Sequence, residues 1–105
     1  MLLLTLNMNM FNFVIDNSFN DYINLWQEGI NQGKAYYIDF SGRKIKADSK
    51  EHFKIRTFVG NRHIDYVLAK KESLNLKEIR TDFRTLAFTN HCGIILDFDI
   101  NKKYK

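Results

Sequence analysis

Two adjacent β-hairpins are predicted within residues 34–71, and their loops constrain the fold more than any other feature of the chain. The dipeptides Ser41-Gly42 and Gly60-Asn61 are typical of two-residue hairpin loops, and such a loop fixes which residues lie opposite one another. In the second hairpin the predicted apolar pairs are Thr57 with Ile64, Ile55 with Tyr66 and Phe53 with Leu68, and the polar-face pairs are Phe58 with His63, Arg56 with Asp65 and Lys54 with Val67. The apolar pairs form one continuous face.

The first hairpin shows the same agreement between loop and alternation. A Ser41-Gly42 loop places Ile38 opposite Ile45 on the apolar side. The remaining predicted pairs are Tyr36 with Ala47 on that side, and Asp39 with Lys44 and Tyr37 with Lys46 on the other. A slip of one residue would turn the isoleucines into water. The sequence therefore predicts a four-stranded antiparallel meander, with residues 48–52 as its middle connection.

A first helix is predicted over residues 18–31. Ser18 is a candidate N-cap and Asp21 completes an imperfect capping box, while Gly33 is placed to cap the C-terminus. The apolar side chains between them have the spacing of a core-facing helical stripe: Phe19, Tyr22, Ile23, Trp26 and Ile30. Before this helix, the segment preceding Asp16 is predicted to be a strand with a bulge near residues 10 and 11, because its alternation changes parity there.

A second helix is predicted after the meander. Asn75 followed by Glu78 resembles a capping signal, and Gly93 is placed to end the helix. Its apolar residues recur at three and four positions: Leu76, Ile79, Phe83 and Leu86. Three threonines weaken this helix, so that residues 85–89 could instead be extended. Residues 94–100 form the last predicted strand, with Leu96, Phe98 and Ile100 on one face and Ile95, Asp97 and Asp99 on the other.

The element order is therefore β-α-β-β-β-β-α-β, which predicts an α+β fold with a four- to six-stranded, mainly antiparallel sheet and two helices. The 105 residues are predicted to form one domain over 1–105, ending in a mobile basic tail at 101–105. Translation from Met8 or Met10 would leave residues 1–9 peripheral. Cys92 is the single cysteine, which favours a reducing, cytoplasmic location. The hydrophobic start is short and interrupted, so no membrane association is expected.

Charge is distributed unevenly along the chain. Residues 1–33 contain three acidic side chains and no Lys or Arg, which leaves all 16 basic and 9 of the 12 acidic side chains in the rest. If both helices cover the apolar face, the open face carries a predicted binding surface: Tyr37, Lys44, Lys46, Lys54, Arg56, Phe58 and His63. Cations interleaved with aromatic rings are typical of single-stranded nucleic acid binding. The same face is also compatible with a protein partner or with simple solvation.

Candidate catalytic residues are few. His63 is predicted to lie beside Asp65 and Arg56, and such a trio could support general acid-base cleavage of RNA. Asp97 and Asp99 share one strand face and could contact Mg²⁺, but the sequence offers no third ligand.

The dipeptide His91-Cys92 lacks the partners of a zinc site, because only His52 and His63 remain as further histidine ligands. Cys92 is better explained as a buried residue at the end of an element. No glycine-rich phosphate loop is present in the sequence. We therefore expect no cofactor and no bound metal.

The leading functional hypothesis is a small non-enzymatic protein-binding module. Its size and its Asn-, Lys- and Ile-rich composition are typical of phage or mobile-element proteins that act as inhibitors or adaptors of a host protein. The alternative is RNA or DNA binding by the basic, aromatic sheet face, and the third hypothesis is a small ribonuclease or toxin centred on His63. An uncovered edge strand would also permit a homodimer.

Overall fold

The computed structural model describes residues 1–5, 20–48, 55–60 and 62–104, and it shows an α+β fold dominated by strands. The strands are β1 (Leu2–Thr5), β2 (Tyr22–Asn24), β3 (Ala35–Ile38), β4 (Lys44–Lys46), β5 (Asp65–Lys70), β6 (Leu74–Asp82) and β7 (Gly93–Ile100). The helical elements are α1 (Leu25–Gln32) and two 3-10 helices, Phe83–Ala87 and Lys102–Tyr104. The described residues thus contain one α-helix, where the sequence predicted two.

The strands form two sheets rather than one. The first sheet is antiparallel with the order β1-β5-β2, and the second has the order β4-β3-β6-β7. Within the second sheet only β3 and β6 are parallel. The predicted four-stranded meander is wrong, because β5 pairs with β1 and β2 in the first sheet, whereas β3 and β4 belong to the second. In the described residues, no helix is long and apolar enough to cross a membrane.

Helix α1 packs against both sheets and closes the core. The side chain of Asn24 caps it by accepting a hydrogen bond from the backbone N–H of Trp26, and Gly33 ends it in the left-handed conformation. A Cβ on Gly29 would lie 2.7 Å from Cγ2 of Ile79, so this glycine permits the close approach of α1 to β6. Trp26 is fully buried and its indole N–H donates to the backbone carbonyl of Asp65 in β5.

The predicted end of this helix at Gly33 is confirmed, but its predicted start is wrong. Tyr22 and Ile23, which were assigned to the helical stripe, belong to β2 and pair with Lys70 and Ala69 of β5. The other side chains of the stripe, Trp26 and Ile30, do lie on α1 and face the core. Ser18 and Phe19 lie outside the described residues, as do the parity change and the alternative start sites predicted in residues 6–19. Of the strand predicted before Asp16, the described residues 2–5 do form a strand, β1.

The first hairpin is shifted by one residue from its predicted register. Tyr37 lies opposite Ile45 and Ile38 opposite Lys44, because the loop contains three residues, 40–42. Its backbone geometry is that of a tight turn, in which Gly42 adopts φ +89° and donates to the carbonyl of Asp39. The carboxylate of Asp39 also accepts from the backbone N–H groups of Ser41 and Arg43. These bonds stabilise the longer loop and reverse the faces of β3.

The reversal moves one member of the predicted binding surface into the core. Tyr37 is buried and stacks on Phe83 with ring centroids 5.0 Å apart. Tyr36 and Ile38 instead lie on the outer face of the second sheet, beside Lys44 and Lys46. Ile45 and Ala47 face inward, as the alternation of the sequence predicts.

The second hairpin is also shifted, since Phe58 bridges Arg62 where the sequence paired it with His63. The backbone N–H groups of Thr57 and Phe58 both donate to the carbonyl of Arg62. The hydroxyl of Thr57 accepts from the N–H groups of residues 64 and 65, which guides the chain into β5. Phe53, Lys54 and Asn61 lie outside the described residues.

The second predicted helix is wrong, because residues 74–82 form β6. A bulge between Leu76 and Glu78 inserts one residue into the strand, so that the inward residues Leu76 and Ile79 are three positions apart. That interval resembles helical spacing. Asn75 does not cap a helix but donates to the side chain of Asn101, and Gly93 begins β7.

The last strand is confirmed, since β7 spans Gly93–Ile100. Ile95, Asp97 and Asp99 are exposed, and Leu96 and Phe98 are half-buried, as the alternation predicts. Ile100, which was predicted on the face of Leu96 and Phe98, is exposed at the end of the strand. The tail expected to be mobile continues into a 3-10 helix, and Lys103 forms an ion pair with Glu72.

Candidate functional site

Three loops meet at one end of the second sheet, and we call this region the loop end. It consists of the β3–β4 turn at 39–43, the segments 55–60 and 62–64, and the β6–β7 connection at 83–92. The backbone N–H of Val59 donates to the carbonyl of Asn90, and that of Cys92 donates to Thr57. The β3–β4 turn contacts the β6–β7 connection, since the ring centroids of Phe40 and Phe83 are 5.6 Å apart. The three loops therefore form one contiguous surface.

Each loop presents a large apolar side chain to solvent. The exposed fractions are 60% for Phe40, 46% for Val59 and 91% for Phe88. Phe88 follows the 3-10 helix directly, and its backbone N–H donates to the carbonyl of Thr85, which fixes the turn that projects its ring outward. Single exposed apolar residues are common on proteins, but three on touching loops are typical of a contact surface.

Arginines surround these apolar side chains, and two of them are neutralised by aspartates close to them in the sequence. Arg43 forms an ion pair with Asp39 at 3.2 Å, and Arg84 with Asp82 at 2.8 Å. The hydrogen bond from Arg84 lowers the pKa of Asp82. Both carboxylates therefore stay ionised at neutral pH.

The other two arginines contact aromatic rings. The guanidinium of Arg62 lies 4.6 Å from the centroid of Phe58 and donates to the carbonyl of Val59. The guanidinium of Arg56 lies over Phe40 and Phe83. Neither forms an ion pair with a carboxylate in the part of the chain that the structure describes.

The residues of the predicted binding surface are divided among several places. Arg56 and Phe58 lie at the loop end, whereas Lys44 and Lys46 lie on the outer face of the second sheet. Tyr37 is in the core, and Lys54 lies outside the described residues. The structure therefore does not bring these residues together on one side of a sheet.

His63 is held by structural contacts. Its ring packs edge-on against Trp26 and Tyr66, and its Nδ1 is 2.8 Å from the carbonyl of Ile55. The Asp65 carboxylate accepts hydrogen bonds from Thr5 and His91, and the Arg56 guanidinium lies over Phe40 and Phe83.

A different histidine pairs with Asp65. Nδ1 of His91 donates to Oδ2 of Asp65 at 2.8 Å, and the hydroxyl of Thr5 donates to Oδ1 at 2.6 Å. The Asp65 side chain is 5% exposed and that of His91 is 46% exposed. A buried carboxylate therefore orients a half-exposed imidazole through its Nδ1 atom.

The outer face of the second sheet also carries cations and an aromatic ring. Nζ of Lys44 lies 4.5 Å from the ring centroid of Tyr36. Both Lys44 and Arg80 donate to the carboxylate of Glu78, and although burial opposes ionisation, these bonds lower its pKa overall. Lys46 is exposed beside them. The carboxylate of Glu78 thus offsets one of the three positive charges that Lys44, Lys46 and Arg80 place on this face.

The remaining candidate chemistry has little support in the geometry. Asp99 forms an ion pair with Lys77 at 3.4 Å, and no group of three potential metal ligands occurs among the described residues. Burial raises the pKa of the Cys92 thiol to about 11, which keeps it protonated and unreactive at neutral pH.

Sequence reasoning missed Phe40, Val59, Phe88 and the His91–Asp65 pair. One signal was present for the pair, since Asp65 begins a strand of apolar residues where a buried carboxylate needs donors. The donors come from positions 26 residues later and 60 residues earlier, which a local pattern cannot identify. No family model matches the chain, and no significant match is found among curated proteins or solved structures.

Proposed function

We propose that the protein is a non-enzymatic protein-binding module that engages a host protein through the loop end. The observation that carries this proposal is the exposure of Phe40, Val59 and Phe88 on touching loops, with arginines around them. The chain's composition favours an inhibitor or adaptor encoded by a phage or mobile element as the biological context.

Removing the exposed rings of the loop end from water would favour association with a partner. An exposed phenylalanine ring gains several kcal/mol when a partner removes it from water, at roughly 25 cal/mol per Å² of apolar surface. Aromatic and arginine side chains are also the residues whose loss most weakens protein interfaces. The backbone hydrogen bonds at Val59 and Phe88 hold this surface in place before binding, which lowers the entropic cost of association.

The test is recovery of a specific partner from host lysate with a tagged protein, measured by quantitative mass spectrometry. The double variant Phe40→Ser/Phe88→Ser should lose the partner, with affinity reduced about 100-fold if each ring contributes roughly 1.4 kcal/mol. Ile95→Ser removes an exposed apolar side chain from the outer sheet face and is the matched control. Nuclease treatment should leave the complex intact.

Two outcomes would contradict the proposal. The first is the absence of any partner that depends on the loop-end rings. The second is a partner that the double variant recovers as well as the wild-type protein does, because binding would then use another surface.

A second candidate function is favoured by the His91–Asp65 pair. The carboxylate holds the imidazole proton on Nδ1, so Nε2 could act as a general base for metal-independent RNA cleavage. The 2′-hydroxyl would lose its proton to Nε2, attack the adjacent phosphorus and release the 5′-oxygen, which takes a proton from water. Cleavage of a single-stranded RNA in EDTA that His91→Ala abolishes would support this activity. RNA that stays intact, or is cut equally by the variant, would exclude it.

A further inference from the structure

Arg56 has an unusual environment among the arginines of the loop end. Its guanidinium carbon is 5.4 Å from the ring centroid of Phe40 and 5.0 Å from that of Phe83. Phe83 is buried and stacked on Tyr37, so the guanidinium packs against a ring that the core holds in place. Its position is therefore fixed before any ligand arrives.

The hydrogen-bonding capacity of Arg56 is incompletely used. Its Nε atom is buried without a hydrogen-bond partner, and the side chain as a whole is half-buried. It forms no ion pair with a carboxylate anywhere in residues 1–5, 20–48, 55–60 or 62–104. Arg43 and Arg84, by contrast, each pair with an aspartate that is near in the sequence.

Such an arrangement costs stability in the free protein. Partial burial removes water from a guanidinium, and a buried N–H without an acceptor loses the hydrogen bond that it had in water. The two cation–π contacts offset part of that cost. A partner carboxylate that docked against the guanidinium would supply the missing negative charge and accept from its terminal N–H groups.

We propose that Arg56 is the receptor for an Asp or Glu side chain of the partner, and that the partner presents an acidic segment with apolar residues beside that carboxylate. The inference rests on the proposed function of the loop end. The docked carboxylate forms a bidentate pair with Arg56, while the neighbouring apolar side chains of the partner cover Phe40. Arg62, the other arginine without a described carboxylate, attracts the same acidic segment at longer range.

The chemistry of the surface favours an acidic protein segment over a nucleic acid. A phosphate could also pair with a guanidinium, and the exposed rings of Phe40 and Phe88 could stack on bases. Two of the four arginines of this surface are already paired with aspartates, however, which leaves few cations for a phosphate backbone. Exposed apolar surface beside a half-buried, unpaired cation is complementary to a peptide that places apolar residues beside a carboxylate.

The experiment is an unbiased selection of peptides from a random displayed library on the immobilised protein. Enriched peptides are synthesised as selected and with every Asp and Glu changed to Asn and Gln, and their binding is measured by fluorescence polarisation. The variants are Arg56→Lys, which keeps the charge but loses the bidentate fork, and Arg56→Met, which keeps an apolar stem. Arg80→Met is the matched control, because Arg80 is a half-buried arginine outside the loop end.

We expect the selected peptides to be rich in Asp or Glu beside apolar residues. Both Arg56 variants should bind them at least about tenfold more weakly, and neutralising the peptide carboxylates should have an equal effect. Arg80→Met should bind normally. Because the unpaired guanidinium costs stability, Arg56→Met should melt no more than about 3 °C below the wild type, while Arg80→Met, which leaves Glu78 with one cation fewer, should melt lower than Arg56→Met.

The outcomes separate this inference from the proposal on which it rests. Peptides that need Phe40 and Phe88 but show no acidic preference, or that bind Arg56→Lys normally, overturn the role of Arg56 and leave the binding module standing. Failure to enrich any peptide that depends on the loop end overturns the inference about Arg56. The binding module itself is tested independently by recovery of a partner from lysate. Arg56-dependent binding of a single-stranded oligonucleotide in place of acidic peptides would assign the site to phosphate and also overturn it.

Discussion

The loop end and the outer face of the second sheet contain similar residue types but differ in how their charges are used. On the outer face, Glu78 accepts hydrogen bonds from both Lys44 and Arg80, and Lys44 also covers the ring of Tyr36. At the loop end, Arg56 has no described carboxylate, and Phe40 and Phe88 are largely exposed. On the outer face a carboxylate bonds to two of the three cations, whereas the loop end leaves an arginine and apolar rings available to a partner.

A basic, aromatic composition therefore does not by itself identify a binding surface. The deciding features are whether each cation is already paired with a carboxylate of the same protein, and whether each ring is covered by a cation or exposed to solvent. Glu78 makes that distinction on the outer face, and it was absent from the predicted surface because it was assigned to a helix. The following predictions test the comparison, beginning with the largest expected effect.

The buried carboxylate beneath the loop end should be more important for stability than any carboxylate of the outer face. Asp65→Ala removes the acceptor for Thr5 and His91, and we expect the free energy of unfolding to fall by about 3 kcal/mol, as measured by urea denaturation. Asp97→Ala removes an exposed carboxylate of β7 and should cost less than about 0.5 kcal/mol. Equal losses would show that the loop end does not depend on the buried pair.

Charge reversal should affect partner association at the loop end and not on the outer face. Arg62→Glu should slow association with the captured partner about tenfold at low salt, because it replaces attraction of an acidic segment by repulsion. Lys46→Glu makes the same change at an exposed position of β4 and should alter the rate less than about twofold. Surface plasmon resonance at two salt concentrations gives both rates, and the opposite ranking would move the interface to the outer face.

Freeing the cations of the outer face should give that face a measurable affinity for a polyanion. Glu78→Gln removes the shared carboxylate, so we expect a loss of roughly 0.5 to 1 kcal/mol in stability and a severalfold gain in affinity for a single-stranded oligonucleotide at low salt. Asp21→Asn makes the same change in net charge at an exposed carboxylate that forms no ion pair within the described residues, and is the control. If both variants gain affinity equally, net charge rather than the freed cations is responsible.

The smallest expected effect concerns the turn that joins the two regions. Hydrogen bonds from the Ser41 hydroxyl and the Arg43 backbone lower the pKa of Asp39 to about 2. The stability that its ionised form contributes is therefore present above the unfolded-state value of about 4 and is lost as the pH falls toward 2. Urea denaturation should show a smaller loss of stability over this range for Asp39→Asn than for the wild type. Parallel pH profiles would mean that this carboxylate does not stabilise the turn.

Local sequence signals were sufficient for some elements of the fold. Gly33 was recognised as a helix cap because a left-handed residue at that position favours glycine, and β7 was recognised from its strict alternation. The α+β class followed from these elements together. Such features depend on residues that are close in the sequence.

Other elements depended on details that alternation does not encode. The Asp39 hydrogen bonds lengthened one loop by a residue and reversed the faces of β3, and the bulge near Leu76 gave a strand an apparent helical spacing. The candidate site required contacts between distant segments. Phe40 meets Phe83 and Asp65 meets His91 only after the two sheets and the loops assemble.

The central claim, that the loop end is the binding surface, is tested most directly by hydroxyl-radical footprinting of the protein alone and in complex with its captured partner. The oxidation rates of Phe40 and Phe88 should fall severalfold in the complex, while that of Tyr36 on the outer sheet face should stay unchanged. Protection of Tyr36 with Phe40 and Phe88 still oxidised at the rates of the free protein would contradict the account.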